Sequence, residues 1–122
     1  MTTKHAVGLD LLWVLVFALV GRATHAEALD LAGVALTAWP FVVALAAGWV
    51  TIYMLKRTGL LLVEGVALWA VTVVAGLWIR VNGGATAEAA FITVASIFLA
   101  SGLLGWRLVL WLLTTRPWDR RG

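Results

Sequence analysis

The sequence predicts an all-α integral membrane protein: four transmembrane helices in one compact bundle. Three observations lead there. Of 122 residues, 63% are hydrophobic and only 12% are charged, and the mean hydropathy is +1.01. A soluble domain of this size has too much surface to cover with so few charges. The apolar residues also fall into four runs long enough to cross a bilayer, joined by short polar turns. These runs leave no room for a separate soluble domain, so the core must be assembled between helices in lipid.

The first span is expected over about residues 6–21, near the short end of what crosses a bilayer. Lys4, the apolar run and Thr24-His25-Ala26 imitate a secretory signal, but Asp10 is out of place in an apolar signal core, so the segment is expected to be retained. The second span covers about residues 29–55 and holds Trp39-Pro40 near its middle. Proline there removes one backbone hydrogen bond and is expected to kink the helix, while neighbouring helices re-satisfy the freed carbonyl. Lys56-Arg57-Thr58-Gly59 makes a tight turn into a third span over about residues 60–79. Arg80-Val81-Asn82-Gly83-Gly84 ends it, because Asn-Gly-Gly favours positive φ. The fourth span covers about residues 87–113, and residues 114–122 form a basic polar tail.

Charge sets the expected orientation. Lys4, Lys56, Arg57, Arg116, Arg120 and Arg121 fall on one side, Arg22 and Arg80 on the other. The positive-inside rule then places both termini in the cytoplasm. The excess of nine basic over six acidic residues therefore reports orientation, not nucleic-acid binding. Trp49, Trp106, Trp111 and Trp118 lie toward the same side and Trp78 toward the other. Interfacial anchoring is their expected role, and an aromatic cage for a cation is the sharper alternative. There is no cysteine, which excludes disulfides and thiolate metal sites.

The two halves of the chain share a block. Phe41-x-x-Ala44-x-x-x-Gly48-Trp49 recurs as Phe98-x-x-Ser101-x-x-x-Gly105-Trp106, with looser parallels between Asp10 and Glu64 and between Arg22 and Arg80. Either a two-helix hairpin was duplicated or a low-diversity apolar sequence matches itself by chance. Small residues four positions apart let helix backbones approach closely. Ala44 with Gly48, and Ser101 with Gly105, are accordingly expected to mark tight helix contacts, within a protomer or across a dimer.

Two polar clusters could carry chemistry. Asp10, Glu64 and Arg107 each lie a few residues inside the cytoplasmic ends of their spans. A charge at bilayer depth costs roughly 2.5–3.5 kcal/mol and normally faces a partner or water. The three are expected either to pair structurally or to form an ion or proton site. The outer group is Arg22, His25, Glu27, Asp30, Arg80 and Glu88. It reads as solvated loop ends, with a pH-sensitive gate or a weak one-histidine metal site as alternatives. Asp30 and Glu88 also stand where negative charge favours a helix N-terminus. No nucleophile elbow, helical histidine pair or phosphate-binding glycine loop is present. An enzyme is not expected, and neither a cofactor nor a bound metal is assigned.

The run Asp10-x-x-x-Val14-x-x-Phe17-Ala18-x-x-Gly21-Arg22-x-x-His25, followed by Trp39-Pro40-Phe41, Trp69, Thr72, Gly76, Arg80 and Leu104-Gly105-Trp106-Arg107, resembles domain-of-unknown-function family 3054. The likeness covers about residues 9–107, nearly all of the chain. It implies a four-span protein of a bacterial, mostly actinobacterial, plasma membrane, and it implies no activity or substrate. It singles out Asp10, Arg22, His25, Arg80 and Arg107 as shared residues.

The leading functional expectation is passage of a small ion or solute through a homodimer or small homo-oligomer, with Asp10, Glu64 and Arg107 gating it or coupling protons. The alternative is a non-catalytic accessory or assembly subunit of a larger membrane complex. The lipid bilayer is the expected environment, and a membrane protein partner belongs to the alternative.

Overall fold

In the computed structural model, which describes residues 2–24 and 30–114, the elements are all helical. They are α1 (Thr3–Thr24), α2 (Leu31–Met54), α3 (Leu62–Asn82), α4 (Ala89–Leu103) and α5 (Gly105–Thr114). Four stretches are long and apolar enough to cross a membrane: α1, α2, α3, and α4 with α5 together. α1 packs on α2 and α4, and α3 packs on α2, α4 and α5. The four spans thus form a ring of neighbours, each antiparallel to the next.

α1 reaches further at both ends than its apolar run. Thr3, Lys4 and His5 extend it at the start, and residues 22–24 at the finish. Polar residues continue a helix readily once begun, because propagation adds one hydrogen bond per residue fixed. α2 runs unbroken through Pro40. Its start is set by Asp30, whose Oδ1 accepts the Gly33 N–H at 2.9 Å, a side-chain cap on an otherwise orphaned donor.

The middle of the bundle is filled by aromatic rings. Phe17 meets Phe41 edge-on with centroids 5.2 Å apart, and Phe91 and Phe98 close around Phe17 at 6.1 and 5.9 Å. Leu45, Leu68, Leu99 and Leu103 complete the buried centre. Two indoles clamp α4 from its neighbours. Trp13 of α1 donates to the Phe98 carbonyl at 2.8 Å, and Trp69 of α3 donates to the Ser96 carbonyl at 2.9 Å. Inside a membrane, where lipid is as apolar as leucine, such interhelical hydrogen bonds and close packing carry the association.

The fourth span is not one regular helix. It is interrupted at Leu104, between α4 and α5. The Leu103 carbonyl at the interruption accepts from Arg107 Nη1 at 2.8 Å. A side chain therefore covers an acceptor that the break leaves short of partners.

The repeated small-residue pairs behave differently. Ala44 and Gly48 are buried, and a side chain at Gly48 would press on Leu68 of α3. Ser101 is exposed, and a methyl at Gly105 would meet nothing. Both line an open apolar groove of about 660 Å³ between α3 and α4–α5, with Trp69 and Leu108 in its walls. Only the first pair is a helix contact within the protomer.

Candidate functional site

Asp10 and Arg107 form a buried two-point ion pair. Asp10 is the eighth residue of α1, about 10 Å along the helix from its start at 1.5 Å per residue. Arg107 in α5 comes to it from 97 positions away, and both are 0% exposed. Arg107 Nη1 donates to Asp10 Oδ1 at 2.9 Å and Nη2 to Oδ2 at 2.8 Å. This fork-to-fork arrangement uses the full geometry of a guanidinium, which lysine could not reproduce.

Two indoles complete the carboxylate's shell. Trp106 Nε1 donates to Oδ1 at 2.9 Å, and Trp49 Nε1 donates to Oδ2 at 3.0 Å. Each oxygen therefore accepts one guanidinium N–H and one indole N–H. Arg107 is held as closely. Its Nε donates to the Gly59 carbonyl at 2.9 Å, and its Cζ lies 4.2 Å from the Trp106 ring centroid and 5.9 Å from that of Trp49. For these two tryptophans the geometry fits the sharper alternative and not the interfacial anchoring expected from their positions. They form an aromatic cage around a cation, and the cation is the protein's own Arg107.

Two glycines make room for this arrangement. Gly59 has φ +79° and lies under the Trp49 ring, where any side chain would collide. The α2–α3 turn needs glycine there for its backbone and for the close approach. Gly65 of α3 lies against Arg107 Cδ, so a β-carbon there would occupy the arginine's seat. Removing one indole donor is expected to weaken the carboxylate's shell without reshaping it. Trp49→Phe and Trp106→Phe should each cost about 1.5–3 kcal/mol, the range for a hydrogen bond to a charged group. Unfolding midpoints of the purified variants read this directly, and a loss near zero in both would show that the N–H groups do not hold Asp10.

Glu64 does not join this pair. Its Oε2 accepts from Arg57 Nε at 2.6 Å, and its Oε1 accepts the Leu61 N–H at 3.0 Å. It supplies the acid's half of a capping box at the start of α3. Arg57 is 49% exposed, so this pair sits at the surface. It borders a cavity of about 270 Å³ between α2 and α3, with Gly48, Thr51 and Val71 among its walls. The three charges expected as one cluster are thus two pairs, one sealed and one open.

The opposite end of the bundle holds a larger cavity of about 440 Å³ between α1 and α4. Arg22, Arg80 and Glu88 line it, together with Thr37. Arg22 Nη1 donates to Thr37 Oγ1 at 3.3 Å, and its guanidinium rests where a side chain on Gly33 would stand. Arg80 Nε donates to the Thr86 carbonyl at 2.7 Å, with its Cζ 4.2 Å from the Phe91 ring centroid. Both arginines lie in the last turn of their helices, where positive charge is favoured. Of the expected outer group, Asp30 is committed to capping α2. His25 and Glu27 lie outside the described residues, as do residues 115–122 of the basic tail.

The model of the family described as "Protein of unknown function (DUF3054)" matches residues 7–110. The chain belongs to this family. No curated protein and no solved structure matches it. Within the DUF3054 match, Asp10 and Arg107 make the sealed pair, whereas Arg22 and Arg80 line the large cavity. Sequence reasoning named Trp49 and Trp106 only as anchors or a cage for an unspecified cation, and it gave Gly59 and Gly65 no part in the site. One signal was available, the Gly-Trp dipeptide repeated at 48–49 and 105–106, since a repeat that keeps its tryptophan asks for more than an anchor.

Proposed function

We propose that this DUF3054 protein passes a small solute or ion across a bacterial plasma membrane as a homo-oligomer, with both termini cytoplasmic and without catalysis. One observation carries the reading: charged cavities lie at opposite ends of the bundle, while the centre is closed by the phenylalanine rings. The Arg22/Arg80 cavity is then the outer vestibule and the Arg57–Glu64 cavity the inner one. The Asp10–Arg107 pair acts as the inner gate. A closed centre means that passage requires α1 and α4 to separate, or a route between protomers.

The test is flux into proteoliposomes of the purified chain, read with a pH dye and a small panel of ions and organic anions. Wild type is expected to show flux, and Arg80→Gln and Glu64→Gln to reduce it about tenfold or more if the vestibules lie on the path. No flux in any arm, from protein shown to be folded, would sink the transport reading. The groove bearing Ser101 and Gly105 favours a second reading, an accessory subunit that docks a larger membrane complex. One stoichiometric partner copurified in mild detergent, with silent liposomes, is the result that reading requires.

A further inference from the structure

We infer that Thr72 is a hydrogen-bonding station at the midpoint of the bundle, where its hydroxyl binds water or a small permeant bearing a donor or acceptor. The inference rests on the transport reading and names the group that a passing molecule meets between the two end cavities. Thr72 is the middle residue of α3, about 12 Å along the helix from Glu64 on one side and from Arg80 on the other. It is 0% exposed. Among the described residues its Oγ1 has no hydrogen-bond partner.

Other hydroxyls in the helices show what Thr72 forgoes. Those of Thr51, Thr93, Ser96 and Thr114 each donate to the carbonyl four residues back, at 3.0, 2.9, 2.7 and 2.8 Å. Serine and threonine inside a helix commonly satisfy themselves in this way. The Leu68 carbonyl stands at the same offset from Thr72, yet Thr72 does not use it. Burying a hydroxyl without a partner costs free energy, and valine would fill the same shape without that cost. A group kept unpaired in this way is suited to a partner that comes and goes.

The surroundings set Thr72 between the two cavities. Leu68, one turn toward Glu64, and the neighbouring Val71 line the smaller cavity. Gly76, one turn toward Arg80, lies against the Phe41 ring, which meets Phe17, and Phe17 lines the larger cavity. Leu68 thus stands between Thr72 and one cavity, and the Phe41–Phe17 pair between Thr72 and the other. Asp10, Glu64 and Arg107 all lie toward one end of the bundle. Thr72 is therefore the one buried polar side chain at mid-height among the described residues.

The experiment uses the full chain in proteoliposomes and reads flux, unfolding midpoint and reaction with silver ions. Thr72→Val removes the hydroxyl and keeps the shape. Its flux should fall about tenfold, as for one hydrogen bond lost to the passing molecule. Thr72→Ser keeps the hydroxyl and should keep most of the flux. The unfolding midpoint of Thr72→Val should equal or exceed that of wild type, because the resting protein loses no internal bond. The chain has no cysteine, so an introduced thiol is its only one. Silver should consume the thiol of Thr72→Cys about tenfold faster than that of Val73→Cys, because only a hydrated path delivers the ion to a thiolate. Thr51→Cys, on the wall of the smaller cavity, is the positive control.

Unchanged flux in Thr72→Val would take the hydroxyl off the path and overturn the proposal. A Thr72→Val protein that unfolds well below wild type would also overturn it, by showing the hydroxyl bonded within the protein. So would Thr72→Ser as impaired as Thr72→Val, since bulk and not the hydroxyl would then matter. A thiol at 72 that stays unreactive while Thr51→Cys reacts, or that reacts no faster than Val73→Cys, would overturn it without any flux measurement. Silver selective for position 72 with silent wild-type liposomes would leave the hydrated site standing and remove transport. Wild-type flux that Thr72→Val retains would do the reverse.

Discussion

Arg107→Gln is expected to be the most damaging single substitution in this protein, at about 3–5 kcal/mol of folding stability. The substitution leaves Asp10 buried with two indole donors and no counter-charge, and it strips the Gly59 and Leu103 carbonyls of a donor. Most of the loss is the penalty of an uncompensated buried charge, not the worth of the pair itself. Asp10→Asn should approach the same cost from the other side. The double variant Asp10→Asn/Arg107→Gln should therefore be less damaged than the sum of the two, with a coupling of about 0.5–3 kcal/mol. Equilibrium unfolding of all four proteins in mixed micelles measures this cycle. Strict additivity would mean that the two groups do not act as a unit. The same series sets Asp10 apart from Glu64. Glu64→Gln touches a pair with a half-exposed partner, and it should cost about 1 kcal/mol or less beyond its helix cap.

The second large effect is steric. Gly65→Val places a branched side chain where Arg107 Cδ lies, with Leu104 Cδ2 only 3.2 Å from the new β-carbon. Overpacking of this kind costs about 1–3 kcal/mol. It also tilts the arginine away from Asp10, so the loss should exceed that of the same change at an open glycine. Gly105→Ala is the matched control. A methyl there meets nothing within the protomer, and alanine improves helix propensity by about 1 kcal/mol over glycine. The protomer is expected to be unharmed or stabilised. Light scattering of the detergent complex reads its state of association. An assembly of copies present in wild type and lost in Gly105→Ala would place the contact at the Ser101–Gly105 face, and a wild-type monomer would remove that contact.

Much of this architecture is legible residue by residue. Asp30 before an apolar run announces a capped helix, and it caps α2. Lys56-Arg57-Thr58-Gly59 announces a turn, and the turn has positive φ at Lys56 and Gly59. The depth of Asp10, Arg107, Arg22 and Arg80 along their helices follows from counting positions, so each charge could be assigned to an end of the bundle. Which charges share a site could not be read in this way. Counted from the expected starts of the first and third spans, which run parallel, Asp10 and Glu64 lie at the same depth, and either could have met Arg107.

The sequence by itself determined that the chain forms four apolar helices, where they turn, and that charges gather at both ends. Those properties are local: span length, turn chemistry and position along a helix are set by residues close together in the chain. Only the tertiary structure decided that Arg107 pairs with Asp10 while Glu64 takes Arg57. It alone decided that Trp49 and Trp106 converge on one carboxylate, one indole to each oxygen. It also closed Ala44 and Gly48 against α3 while leaving Ser101 and Gly105 open, although the two blocks read alike. The physical reason is the same in each case. Rise along a helix is fixed by the chain, but rotation about its axis is fixed by what the other helices bring against it.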